Sequence, residues 1–157
     1  MANEKRNIFI SHVNKDDHRL DPLKALLNNA GMEVSDGSIH SGKPNEATSP
    51  EYIKSQILAP RIQWASVLVV LISPETRHSE WVAWEIEYAE KLGKRIVGVW
   101  DHGESACDIP EALDRYADAV VGWQGERVKD AIEGKINNRE DSEGNDVQER
   151  VLPRYTC

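Results

Sequence analysis

Cysteine is scarce in this chain: two among 157 residues, Cys107 and Cys157. Two cysteines cannot build the disulfide framework of a small secreted domain, and a reducing compartment is the natural home for such a sequence. Neither has a neighbouring His/Asp constellation that would make it a nucleophile, and Cys157, with nothing after it, is not a prenylation box. Long apolar runs are lacking too. The longest, Val67 to Ile72, is far too short to cross a bilayer, and Met1 to Arg6 lacks the apolar stretch of a secretory signal. A cytoplasmic protein with no membrane partner is expected. Basic residues are in deficit, 19 Lys and Arg against 27 Asp and Glu, giving a net charge of −8. That balance repels duplex nucleic acid, although a few focused cations or backbone N–H groups still suffice for a small anionic ligand. His40, His78 and His102 have no ligand spacing with one another or with cysteine, so no metal site is expected. A phosphate loop is missing as well: Gly37 to Gly42 leads into Lys43-Pro44, not into Lys-Ser/Thr and a helix.

What is present is a regular alternation. Asn7 to Ser11 reads as a buried strand, and Leu20, Leu23, Leu26, Leu27 and Ala30 then recur at helical spacing up to Gly31. Met32 to Ser35 predicts a short second strand. Asp36 to Pro50, at roughly fifteen residues, has no hydrophobic period and is longer than most connections in compact domains. Ser49-Pro50 opens a helix running to about Gln63 and interrupted near Pro60. Val67 to Ile72 shows no polar alternation, the signature of a central parallel strand covered on both faces. Helices over Trp81–Leu92, Pro110–Tyr116 and Glu126–Ile136 alternate with strands over Arg95–Trp100 and Ala119–Val121. The pattern predicts one α/β domain over residues 1–136, a five-stranded parallel sheet with helices on both faces, and a polar tail over 137–157 that is disordered or loosely docked. Ligands of such sheets bind at the C-terminal strand ends. Ser11 to Asp17, Asp36 to Asn45, Ser73 to Trp81 and Trp100 to Glu104 therefore become the segments to inspect.

One carboxylate breaks the pattern. Around the Trp81–Leu92 helix, Trp81, Val82, Trp84, Ile86, Tyr88, Ala89 and Leu92 share a broad apolar arc, and Glu85 falls near its middle. A carboxylate facing the core must be paired, protonated or lining a cavity, because burying it bare costs several kcal/mol. Two readings stand side by side: an active-site acid beside Trp81, or a structural Glu paired with a buried Arg or capping a neighbouring loop. Elsewhere, Ser11-His12 ends the first strand within reach of a ligand, although a single loop His is more often solvated. Asp16-Asp17 resembles a phosphoacceptor receiver's acidic pair. That reading fails, because Ser73-Pro74 and Gly122 stand where an Asp and a Lys are needed.

Together these residues resemble the Toll/interleukin-1 receptor (TIR) domain family, whose fold is flavodoxin-like. Ile8-Phe9-Ile10-Ser11-His12 is similar to its first-strand motif, Asp36 to Glu46 to its long loop after the second strand, and Ser79-x-Trp81-x-x-x-Glu85-Ile86 to the segment bearing the catalytic glutamate of NAD⁺-cleaving members. The resemblance covers residues 5 to 136 and looks closest to the ThsB type of Thoeris antiphage systems. It implies an enzyme that cleaves the nicotinamide–ribose bond of NAD⁺, with NAD⁺ as substrate and no cofactor. The product would be an ADP-ribose-derived, cyclic messenger sensed by a separate effector protein, and activation would involve TIR–TIR self-association. On this resemblance Glu85 is catalytic, Trp81 shapes the nicotinamide-ribose pocket, and Ser11, His12, Asp36, Lys43 and Ser73 contact substrate. His12 replaces a common Tyr or Phe, and His40 falls near a place that is acidic in some animal members. The rival classes are a non-enzymatic TIR adaptor and a nucleoside deoxyribosyltransferase with a nucleophilic Glu.

Overall fold

The structure is a computed structural model that describes residues 4–12, 19–36, 58–73, 76, 79–101, 110–140 and 146–147. Alternating apolar strands and amphipathic helices assemble as the pattern requires. The strands are β1 (Glu4–Ser11), β2 (Met32–Asp36), β3 (Val67–Ile72), β4 (Arg95–Trp100), β5 (Ala119–Val121), β6 (Arg139–Glu140) and β7 (Asp146–Val147). The helices are α1 (Leu20–Asn29), α2 (Ala59–Trp64), α3 (Glu80–Lys91), α4 (Glu111–Tyr116) and α5 (Gly125–Ile132). The sheet runs β2-β1-β3-β4-β5-β6-β7, with the first five strands parallel. This is a doubly wound order whose direction reverses between β1 and β3, so those two strand ends flank the expected ligand crevice.

Strand alternation divides the core in two. Val67, Val69 and Leu71 join Ile8 and Ile10 under α1 and α5, while Leu68, Val70 and Ile72 join Phe9 under α2, α3 and α4. All six residues of β3 are buried, as a central strand covered on both sides must be. Because side chains alternate along a strand, Ser11 emerges on the Phe9 side, toward α3, and Asp101, just past β4, emerges on the α1 side. That alternation decides which helix each of them meets.

Several element bounds differ from the sequence expectation for physical reasons. β1 begins at Glu4, because its first residues pair in register with β2, Glu4 against Met32. Gly31, at φ +92, ends α1 in the left-handed turn expected of it. Gly134, at φ +89, likewise stops the last helix, so α5 closes at Ile132 and not at Ile136. Pro60 lies in the first turn of α2, where its missing N–H costs no hydrogen bond; the expected helix start near Pro50 lies outside the described residues. The segment after residue 136, expected as a loose tail, begins by adding to the sheet. β6 pairs in parallel with β5, Val120 N–H donates to the Asn138 carbonyl at 3.1 Å, and β7 returns antiparallel. An open strand edge offers backbone partners that composition does not reveal. Arg95 locks the same corner, its guanidinium donating to the carbonyls of Ala131 (2.7 Å), in the last turn of α5, and of Ile136 (2.8 Å), beyond it.

Candidate active site

The connection from β3 to α3 places the acid. Ser79 has extended backbone, and its Oγ accepts the Val82 N–H at 3.1 Å, an N-cap that fixes where α3 begins. From that start, Val82, Ile86 and Ala89 turn onto the sheet and are fully buried. Glu85 turns in beside them, 7% exposed, and its Oε1 accepts the Ser11 hydroxyl at 2.5 Å. Ser11 is itself 1% exposed at the tip of β1. Two residues 74 positions apart thus meet at the sheet's C-terminal edge, beside the point where strand order reverses.

Burial dominates the electrostatics. Loss of water pushes the Glu85 carboxyl from its ordinary 4.5 up to about 8, with the Ser11 hydrogen bond pulling the other way. Among the described residues no cation pairs with Glu85. Its partner among the described residues is the Ser11 hydroxyl, and not the buried Arg of the structural reading. A protonation equilibrium this close to neutrality leaves the carboxyl easily ionised by an arriving positive charge, and such tuning clusters at functional sites.

The aromatic residues of α3 sit differently from expectation. Around the helix the order is Trp84, Tyr88, Trp81, Leu92, then Glu85, Ala89, Val82 and Ile86. The sheet covers only the second group. Trp81 is 40% exposed and Leu92 39%, while Trp84 and Tyr88 are half-buried and stacked at 5.0 Å. The expectation that Trp81 and Leu92 share a core-facing arc with Glu85 is thereby corrected: both are exposed, and Glu85 lies on the seam between core and aromatic flank. Large rings widen an apparent apolar arc beyond what one sheet face can cover.

The remaining predicted site residues are distributed along the same edge. His12 follows Ser11, half-buried, with Nδ1 3.1 Å from the Ile10 carbonyl oxygen. Ser73 follows β3 and is buried, its Oγ 3.2 Å from Thr76 Oγ1. Asp36 ends β2 in register with Ile8, one strand away and below the level of Ser11. Lys43 lies outside the described residues. The structure joins Ser11 to Glu85 directly.

Two features escaped sequence reasoning. On the α1 side of the edge, Arg19 Nε donates to Asp101 Oδ1 at 2.9 Å, and its guanidinium lies 5.1 Å from the centre of the Trp123 ring. Asp101 fell inside an inspected segment, but nothing local to it pointed to an arginine 82 positions away. The second feature is Thr76, fully buried in the β3–α3 connection. A cleft of about 350 Å³ between α3 and α4, lined by Glu80, Glu87, Glu111 and Arg115, opens on the side of α3 away from Glu85 and takes no part in this site. No group of three or more His, Cys, Asp or Glu among the described residues is placed to hold a metal ion, and none of their helices is long and apolar enough to cross a membrane.

The fold and the edge carboxylate together define an α/β protein of flavodoxin-like order with a buried acid, hydrogen-bonded to a serine, beside the crevice. The family described as Thoeris protein ThsB, TIR-like domain, matches residues 9–106, and the chain belongs to that family. It is similar to a protein of Cytobacillus dafuensis named "Putative cyclic ADP-D-ribose synthase TIR2", with 26% identity over 106 residues, 66% of this chain. It spans only 28% of that relative's length. Among solved structures it is similar to a Clostridium botulinum CMP N-glycosidase, BcmB, at 17% identity, with 60% of this chain and 71% of that one covered and a TM-score of 0.41. It is also similar to a conserved protein from Enterococcus faecalis V583, at 17% identity, with 62% and 64% covered and a TM-score of 0.40.

Proposed function

We propose that this chain cleaves the nicotinamide–ribose bond of NAD⁺, with Glu85 as the catalytic carboxylate, and converts the ADP-ribosyl portion into a cyclic signalling nucleotide used in antiphage defence. The single observation that carries the reading is the buried Glu85 carboxyl held by the Ser11 hydroxyl at the sheet's ligand edge. Membership of the ThsB family and the name of the Cytobacillus relative support the same chemistry.

Nicotinamide in NAD⁺ is already cationic, so it departs as a neutral base and needs no general acid. The C1′–N bond breaks, its electron pair stays on the pyridine nitrogen, and positive charge develops on the ribose. One preorganised carboxylate against that ribose stabilises the charge, and a dry site makes it worth more than in water. The elevated Glu85 pKa fits this use. The carboxyl stays largely neutral while the site is empty, and the cation it serves is what favours its ionised form. Capture of C1′ by the substrate's own adenine or a ribose hydroxyl closes the ring, whereas capture by water gives linear ADP-ribose. His12, Asp36, Lys43, Ser73 and Trp81 are proposed to line the substrate path. A second copy of the chain, brought in by TIR–TIR association, and a separate product-sensing effector are the proposed partners.

The test is incubation of the purified chain with NAD⁺ and, separately, with deoxynucleosides, with and without a crowding agent. Nicotinamide release is expected from the parent and is expected to fall by on the order of 10³-fold in Glu85→Gln. Because the ionised carboxyl is the active form, kcat/KM should rise with pH through about 8 and then level off. Cleavage of deoxynucleosides with NAD⁺ left intact would assign a deoxyribosyltransferase, and silence with every substrate under assembly conditions an adaptor.

A further inference from the structure

Among the described residues between β3 and α3, Thr76 bonds both back to the strand and on toward the helix. Thr76 is completely buried, and its hydroxyl has a full set of partners. Oγ1 donates to the Leu71 carbonyl at 3.1 Å and accepts the Ser73 N–H at 2.9 Å. Since its one proton goes to Leu71, the 3.2 Å contact with Ser73 Oγ makes Ser73 the donor there. The backbone of Thr76 continues the chain of bonds: its N–H donates to the Ser73 carbonyl at 3.1 Å, and its own carbonyl accepts the Ser79 N–H at 3.1 Å. Ser79 then caps α3 through Val82 N–H, and its carbonyl accepts the Ala83 N–H. Glu85 follows one turn on.

This unbroken line of hydrogen bonds runs from the last turn of β3 to the first turn of α3. A helix is stiff along its axis, rising about 1.5 Å and rotating about 100° per residue, so the carboxyl inherits any slip at the helix start. Ser11, by contrast, is fixed by the sheet. We infer that Thr76 is a positioning residue: its hydroxyl sets where α3 begins relative to β3 and so fixes where the Glu85 carboxyl meets the Ser11 hydroxyl. The inference rests on the reading of Glu85 as the reacting acid and adds a residue that never touches substrate.

Thr76→Val keeps the shape and removes both hydrogen-bonding capacities, whereas Thr76→Ser keeps the hydroxyl. In the full chain, Thr76→Val is expected to fold, to keep KM within about three-fold and to lose on the order of 10²-fold in kcat, because a misplacement near 1 Å is enough for that. Thr76→Ser is expected to stay within about three-fold of the parent in both constants. Independently of turnover, the ¹³C resonance of the Glu85 carboxyl should shift in Thr76→Val and stay in place in Thr76→Ser. Parent-like kcat in Thr76→Val overturns the inference. So does a serine variant as damaged as the valine, or a valine variant that fails to fold, since the hydroxyl would then be holding the whole domain. A parent that never releases nicotinamide sinks the NAD⁺ reading alone. The carboxyl resonance then still decides Thr76, and an unmoved signal in Thr76→Val overturns its role.

Discussion

Two buried carboxylates stand at the same edge of the same sheet, and the chain treats them in opposite ways. On the α1 side, Asp101 is 5% exposed and meets the guanidinium of Arg19 at 2.9 Å, with Trp123 backing the cation. On the α3 side, Glu85 is 7% exposed and, among the described residues, meets the Ser11 hydroxyl and no cation. An acid with its own half-buried cation is a tie between elements, here joining the start of α1 to the end of β4. An acid left with a neutral partner carries an unbalanced desolvation cost, and that cost is what a cationic ligand relieves. Equal burial therefore separates a structural pair from a site by the identity of the partner.

The comparison predicts that removing the two charges has opposite signs, and the larger effect belongs to Glu85. Its folded-state pKa, about 8, lies above the ordinary 4.5. Between those values the folded chain holds a proton that the unfolded chain has released. Stability therefore falls as pH rises from about 4.5 to about 8, and levels off beyond. At about 1.4 kcal/mol for each pH unit, the total is on the order of 5 kcal/mol. Glu85→Gln removes that slope. Denaturant titrations at pH 5, 7 and 9 should show the variant close to the parent at pH 5 and increasingly more stable above it. A gap that does not widen with pH would show that the carboxyl ionises as freely in the folded chain as in the unfolded one.

Next in size is the converse change, which makes Asp101 resemble Glu85. Arg19→Met keeps much of the stem's packing and strips Asp101 of its cation. Removing the cation of this ion pair should cost about 3 kcal/mol, read as a lower denaturation midpoint. Nicotinamide release, measured where the variant is still folded, should stay within about three-fold of the parent, because the pair contributes no transition-state contact. A collapse of activity with stability unchanged would merge the two carboxylates into one site.

How much of this was readable in the sequence follows from the range of each interaction. The strand β3, the helix α3 and the position of Glu85 on its inner side are local periodicities, and they emerged from residues within a turn or two of one another. So did Gly31 as the end of α1. The Ser11–Glu85 contact spans 74 positions and Arg19–Asp101 spans 82, so only the strand order brings those partners together. Ser11 and Glu85 were both singled out, but as separate candidates. Trp81 was misplaced because a helical wheel assigns a face without saying how wide the opposing sheet is. Thr76 stayed invisible because a threonine in a polar connection carries no pattern at all; its role appears only once Leu71, Ser73 and Ser79 surround it.

The smallest expected effect is the one that sharpens the contrast most closely. Ser11 is to Glu85 what Arg19 is to Asp101, but a hydroxyl offers a dipole in place of a charge. Its hydrogen bond opposes the burial that raises the Glu85 pKa, so Ser11→Ala should move the carboxyl still higher than about 8. The pH profile of kcat/KM should shift upward accordingly, and the rate at pH 7 should fall by roughly ten-fold, the usual scale for one hydrogen bond to a charged group. Folding stability at pH 5, where Glu85 is neutral in the folded chain, should drop by only about 1 kcal/mol. Ser11→Thr, which keeps the hydroxyl, should restore the profile. A midpoint that stays put in Ser11→Ala would mean that the hydroxyl does not tune the acid, leaving burial alone to set Glu85 apart from Asp101.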